Sequence, residues 1–255
     1  MKIETRNLTI GYTKPQLELA KDINLSFENS GLTGIIGING SGKSTLIRTL
    51  GRLISPIRGE IFFNGENIST ISSSTFPKML SMVLSKEFIS QNIRVEDFVA
   101  LGRYPYTNWL GKNTVQDKKN ILKALHQVDV KELKDRKCST LSDGQLQRVL
   151  IARAIAQDTS IILLDEPTSH LDLYHKVQIL RLLKNISKNT QKTILFSTHD
   201  INLAIQICDE LLVINHNRMT KDKPEILLDT GVLDQLFPKG HVHLDKIHGQ
   251  FKMKL

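Results

Sequence analysis

Gly37-Ile38-Asn39-Gly40-Ser41-Gly42-Lys43-Ser44 is the stretch that decides how the rest of the chain is read. Its glycines let successive backbone N–H groups turn inward around an anion, and a lysine and a hydroxyl follow directly. The spacing is that of a phosphate-binding loop, G-x-x-x-x-G-K-[ST]. In such a loop the lysine reaches the β- and γ-phosphates of a nucleotide and the hydroxyl ligates Mg²⁺. The flanks agree with this reading. Residues 32–37 are small and apolar, which predicts a buried strand feeding the loop. Leu46, Ile47, Leu50 and Leu53 recur at helical spacing, which predicts a helix over Lys43–Leu53 ended by Pro56.

Outward from the loop, residues 3–10 and 23–28 alternate apolar with polar and read as antiparallel strands with one wet face. Short strands are predicted at residues 61–63 and 80–84, and from about Val95 to Gln157 the pattern is helical, with Ile121, Leu125 and Val128 on one face. Strands at residues 161–165, 193–197 and 211–214 then alternate with helices at 173–186 and 200–207. Continuous apolar strands alternating with helices predict a parallel sheet covered by helices. The expectation is a single α/β domain over residues 1–255. A core with an antiparallel β part spans about 1–85 and 158–255, and an inserted helical subdomain spans about 86–157. Residues 221–255 are loosely patterned, and no repeat or low-complexity linker is visible.

The 255 residues are 40% hydrophobic and 24% charged, a globular composition with material for a large core. The longest apolar runs are four or five residues, far short of the roughly 18 of a membrane span. The first ten residues contain Glu4 and Arg6 and no apolar run, so no signal peptide is predicted and a cytosolic protein is implied. The net charge of +8 is spread along the chain without a dense basic run, so nucleic acid is not expected as a partner. It suits the neighbourhood of an anionic membrane leaflet. Cys138 and Cys208 lack metal-type spacing and read as reduced buried thiols.

Ile161-Ile162-Leu163-Leu164-Asp165-Glu166 is an apolar strand ending in two carboxylates. A buried parallel strand delivers its last residues to the carboxyl edge of the sheet, where ligands bind. There Asp165 can hold Mg²⁺ and Glu166 can polarise a water for attack on a γ-phosphate. His199 ends another apolar strand. Leu141–Arg148, LSDGQLQR, stands before a predicted helix, with Ser142 as a cap and small residues that suit a second anion site.

Taken together, these motifs resemble the ATP-binding cassette (ABC) ATPases, whose signature reads LSGGQ, and the resemblance covers essentially the whole chain. It implies a P-loop NTPase (RecA-like) core with ATP and Mg²⁺ as ligands. Tyr12 stacks on adenine, and Gly37, Asn39, Gly40, Ser41, Gly42, Lys43, Ser44 and Thr45 hold the phosphates. Catalysis falls to Glu166, to Lys43 and to the switch histidine His199. Ser44 and Asp165 serve the metal, and Asp172 closes the D-loop Pro167–Asp172. Two copies pair head to tail, so each ATP lies between one chain's loop and the other chain's Ser142, Gly144 and Gln145.

Asp143 departs from LSGGQ, and its side chain is expected to point away from ATP. Ser-Asp-Gly here resembles the branch that imports iron–siderophore, haem and cobalamin complexes. Val99–Tyr106, VALGRYPY, resembles that branch's segment beside the groove for the permease. Its aromatics, with Trp109, read equally well as an interface anchor or as part of the subdomain's own core. Where the family has a metal-contacting Gln, counting back from Val95 gives Ser85; Gln91 does not align without a shift. The branch implies a peripheral position on the cytoplasmic face of the membrane, integral permease subunits and, indirectly, an extracytoplasmic substrate-binding protein. Other cargoes (zinc, manganese, an amino acid) and a soluble ABC protein without a permease remain alternatives. His241, His243 and His248 fit no strong ligand motif and read as surface residues.

Overall fold

The computed structural model describes residues 2–28, 30–85, 90, 92–109, 111–215, 218–237, 242–245 and 249–253. Gln91, His241 and His248 lie outside them. The chain opens with β1 (Ile3–Thr13), β2 (Gln16–Ile23), β3 (Ser26–Phe27) and β4 (Gly31–Gly37), followed by α1 (Lys43–Leu50), β5 (Arg58–Phe63), β6 (Glu66–Asn67) and β7 (Leu80–Val83). Next come α2 (Val95–Ala100), a 3-10 turn (Leu101–Tyr106), α3 (Val115–Gln127) and α4 (Asp143–Ala156). The last part holds β8 (Ile161–Leu164), α5 (Leu173–Thr190), β9 (Thr193–Ser197), α6 (Ile201–Ile207), β10 (Glu210–Asn215), β11 (Arg218–Asp222), α7 (Pro224–Asp229), β12 (Val242–Asp245) and β13 (Gln250–Met253).

The central sheet runs β11-β10-β4-β9-β8-β7; all of its pairs are parallel except β10–β11. Its inner strands β4, β8 and β9 are buried almost throughout and mostly apolar, because each face packs against a different core, whereas the edge strand β11 is polar and has no buried position. Ile162 and Leu164 of β8, with Ile194 and Phe196 of β9, face the core shared with α2–α6. Their neighbours Ile161, Leu163 and Leu195 face the opposite way, into the core under α1 and the antiparallel sheet. That second sheet runs β2-β1-β5-β6, with β3 on β1. Between the two, α1 buries Leu46, Ile47 and Leu50, which fixes the phosphate loop between the sheets.

Three local expectations need correction. The helix after the loop ends at Leu50, well before Pro56. Arg52 takes the left-handed conformation (φ 58°). The N–H of Leu53 donates to the Arg48 carbonyl at 2.8 Å and that of Arg52 to Thr49 at 3.1 Å, a Schellman closure. Residues 23–28 do not form one strand: β2 ends at Ile23, and Asn24, whose side chain bonds Asn7 and the Asp22 carbonyl, separates it from β3. The tail is more regular than its pattern suggests, with the β10–β11 hairpin, α7 and the β12–β13 hairpin. Among the described residues no helix is long and apolar enough to cross a membrane. Cys138 and Cys208 are free and buried.

Candidate functional site: a phosphate loop and an acidic strand end

The carboxyl ends of β4, β8 and β9 meet at one edge of the sheet. There Tyr12, Leu17, Leu19, Asn39, Gly40, Gly42, Lys43, Ser44, Thr45, Glu166 and His199 line an open cleft of about 690 Å³. Gly40 (φ 79°) and Gly42 (φ 99°) are left-handed, as the loop's inward N–H groups require. A Cβ on Gly40 would meet nothing within 4 Å, so the loop backbone is open towards the cleft. Lys43 is buried and its Nζ donates to the carbonyls of Gly37 (2.9 Å) and Ile38 (3.1 Å). Burial holds its pKa below the usual lysine value, and the carboxylates of Glu166 and Asp165 offset this only in part. Tyr12 is 41% exposed, with its ring on the cleft and its hydroxyl 3.4 Å from that of Thr45.

Asp165 is wholly buried and reached from three elements. Its Oδ1 accepts from the Ser197 hydroxyl at 2.9 Å, and its Oδ2 accepts from Arg48 at 3.1 Å and from the Ser85 hydroxyl at 3.4 Å. The N–H of Glu166 donates to the same Ser197 hydroxyl at 2.9 Å. Glu166 is left-handed (φ 49°), a strained state for a side-chain-bearing residue that turns its carboxylate off the strand and into the cleft. Its Oε2 lies 3.9 Å from His199 Nδ1, too long for a hydrogen bond. A cradle of open backbone N–H groups, one buried ammonium and a poised carboxylate can bind a polyphosphate and direct water at it.

The comparisons agree with this geometry. A family model described as ABC transporter matches residues 20–169. The petrobactin import ATP-binding protein of Bacillus subtilis is 35% identical over 92% of this chain and 92% of its own. The chain belongs to the ABC transporter family. A solved structure ascribed to a metal-chelate type ABC transporter, in an inward-facing conformation, superposes with a TM-score of 0.79 at 29% identity. It covers 92% of this chain and 88% of that one. A bacterial ABC transporter cassette solved as a dimer gives 0.75 at 27%, covering 87% and 98%. This chain therefore has the ABC ATPase fold and the enzymatic class of an ATP hydrolase.

The cassette does not bring every predicted residue to that cleft. Ser142, Gly144 and Gln145 are absent from its lining. They start α4, where Ser142 and Gln145 form a capping box: the Ser142 hydroxyl accepts the Gln145 N–H at 3.4 Å, and the Gln145 side-chain Oε1 accepts the Ser142 N–H at 3.1 Å. A Cβ on Gly144 would lie 2.8 Å from the His175 ring, so that position admits only hydrogen without displacement. Asp172 caps α5, accepting the His175 N–H at 2.9 Å, and that bond, with the His175 ring, holds its carboxyl below the usual range. Asp143 faces a second cleft of about 160 Å³, which it shares with Ser85, Gln147, Asp165, Glu166 and His170.

The Val99–Tyr106 segment is split between its two readings. Arg103 is buried, whereas Leu101 (52%), Tyr104 (75%) and the nearby Trp109 (91%) are exposed. Sequence reasoning missed Arg48 and Ser197. Arg48 stands in no motif, and its position five residues after Lys43 is the only hint that it lies beside the loop. For Mg²⁺, the oxygens at Asp165 are its own carboxylate and the Ser85 and Ser197 hydroxyls, the kind a hard divalent cation takes, although the Arg48 guanidinium occupies Oδ2 in this structure. Among the described residues no cluster of three or more His, Cys, Asp or Glu side chains could hold a metal by itself, and His243 stands on β12 with no such group around it.

Proposed function

We propose that this chain is the ATP-hydrolysing subunit of an importer for chelated metal, iron–siderophore before haem or cobalamin, working as a head-to-tail pair beneath membrane permeases. The observation that carries the reading is the meeting of Tyr12, Lys43, Glu166 and His199 on one cleft while Ser142 and Gly144 lie outside it. The base is received by Tyr12, and the phosphates by residues 37–45. Glu166 takes the proton of the attacking water, and His199 beside it is the switch histidine that contacts the γ-phosphate. Mg²⁺, when bound, neutralises charge on the phosphate oxygens, and Ser44, Asp165 and Ser85 are the residues that would hold it. Ser142, Gly144 and Gln145 complete the site of a second copy, with Asp172 at the seam.

The relative that imports petrobactin and the structure of metal-chelate type support the cargo class, and the cassette solved as a dimer supports the pairing. The exposed turn bearing Leu101, Tyr104 and Trp109 is the face offered to the permease, and aromatic anchors of this kind dominate interfaces. In this reading the chain is peripheral on the cytoplasmic side, serves a substrate-binding protein only indirectly, and divides functionally near residues 85 and 158. The test is ATPase activity and uptake of radiolabelled ferric chelates in the reconstituted transporter. Glu166→Gln and Lys43→Ala should each lower ATP turnover by about 10²-fold or more. Intact turnover in either variant overturns the site, and intact ATPase without uptake of iron, haem or cobalamin complexes overturns the cargo.

A further inference from the structure

Arg103 is a buried guanidinium that the ATP site does not use. Its side chain is 6% exposed, and its Nε donates to Asp117 Oδ1 at 2.8 Å. Its Nη1 donates to the carbonyl of Ala156 at 2.8 Å. The Tyr106 ring lies against it, 4.0 Å from centroid to guanidinium carbon. Asp117 in turn accepts from the Thr114 N–H (2.9 Å) and hydroxyl (2.6 Å) at the start of α3. One side chain thus ties the aromatic turn, the first turn of α3 and the last turn of α4. Burying a charge forfeits its hydration, so a planar fork held on two elements at once fixes geometry more than it adds stability.

The partner end matters most. Ala156 is the last residue of α4, where carbonyls lack a helical donor, and the same helix begins at Ser142. At 1.5 Å per residue its 14 residues form a rod of about 20 Å. The turn is also pressed on the rod, since a Cβ on Gly102 would lie 2.3 Å from the Arg153 carbonyl oxygen. Arg153 donates to the Met82 carbonyl (3.0 Å) and Gln157 to that of Leu80 (3.0 Å), so this end of α4 is pinned to β7. Ser85, just beyond β7, spends its short side chain on Asp165, 3.4 Å away. The dense linkage between the exposed aromatics and the ATP chemistry therefore runs along α4.

We infer that Arg103 is a positioning residue of the transport cycle: it locks the exposed aromatic turn to the C-terminal end of α4, so that a contact on that turn re-aims the Ser142 end of the same helix. The inference rests on the reading of Leu101, Tyr104 and Trp109 as the permease-facing surface, and the experiment separates the two. Membrane subunits isolated with the wild-type chain are reconstituted in lipid vesicles with each variant. Association, ATPase of the isolated chain and permease-stimulated ATPase are measured. Arg103→Lys keeps a cation for Asp117 and loses the fork. It should bind the membrane subunits and retain isolated ATPase within about twofold, yet lose about tenfold of the stimulation. Gly102→Ala, which leaves the ion pair intact and pushes the turn off α4, should behave the same way. Tyr104→Ala with Trp109→Ala should lose association itself; if it does not, the docking reading falls. Full stimulation in Arg103→Lys overturns the inference and leaves docking standing. Loss of association in Arg103→Lys also overturns it, since the residue would then only shape the surface. In the wild-type chain, amide hydrogen exchange near Ala156 and at Ser142–Gln145 should slow together when the membrane subunits bind. An unchanged Ser142 end overturns the inference whatever the variants do.

Discussion

Asp117 is 3% exposed and carries the only carboxylate that Arg103 meets among the described residues. Burial alone would raise its pKa, but the Thr114 hydroxyl and N–H and the Arg103 guanidinium outweigh it and hold the carboxyl low. The folded state therefore favours the ionised form. Its contribution to stability is complete above the unfolded aspartate value of about 3.9 and is lost as the pH falls through the lower folded value. Asp117→Asn should cost about 3 kcal/mol near pH 6.5, because it leaves a buried cation unpaired. The difference in urea midpoint from wild type should shrink near pH 3, and a difference that stays constant with pH would show that the ionised pair is not its source. At this scale the sequence is legible where chemistry is local. Lys43, Ser44, Asp165 and Glu166 sit in motifs a few residues long, and each stands on the cleft or at its edge. Arg48 and Ser197 were invisible because their partner, Asp165, is 117 and 32 residues away. Arg103 was quoted as part of an aromatic motif, and only its burial shows that the motif has an inner and an outer half.

The elements most faithful to the sequence are those whose ends carry chemical signals. Strand β9 occupies residues 193–197 as read, and α4 starts at the Ser142 cap. Those that were missed or misplaced lack such signals: β2, for which no strand was expected before Ile23, bears charges on its wet face and leaves Leu17 49% exposed, so its alternation is weak. The end of α1 depends on an arginine adopting a conformation that sequence reserves for glycine or asparagine. The cap of α4 separates structure from function in one variant. Ser142→Ala removes the hydroxyl of the capping box, which should lower stability by about 1 kcal/mol. If Ser142 also contacts ATP held by a second chain, turnover should fall by about 10²-fold, far more than so small a loss of folded protein explains. Thermal unfolding and ATPase on the same sample decide this. A turnover loss no larger than the loss of folded protein confines Ser142 to its cap.

At the scale of the whole molecule, the continuous apolar strands announce a sheet buried on both faces, and the alternate assignment of β8 and β9 residues to two cores is how the chain meets that demand. What no single chain can announce is the completion of its site. The cleft that holds Lys43 and Glu166 has no wall from α4; Asp143 at the start of α4 reaches Glu166 only across the smaller neighbouring cleft, and Ser142 lines neither. In the proposed head-to-tail pairing, a two-fold axis would bring each chain's Ser142 to the other's cleft through one self-complementary interface. This arrangement makes a prediction that a site built within one chain cannot meet. Lys43→Ala and Ser142→Arg chains are each expected to be inactive alone, since every pair of identical variants has two broken sites. Mixed in equal amounts, about half of the pairs are of unlike chains. In these, the intact loop of the Ser142→Arg chain faces the intact Ser142 of the Lys43→Ala chain. The other site is broken twice. ATPase should therefore reappear on mixing, at roughly a quarter of the wild-type rate per chain if the two sites act independently. It should rise with protein concentration as pairing does. If mixing restores nothing while wild-type pairs form under the same conditions, the composite site is wrong and the chemistry must be sought within one chain.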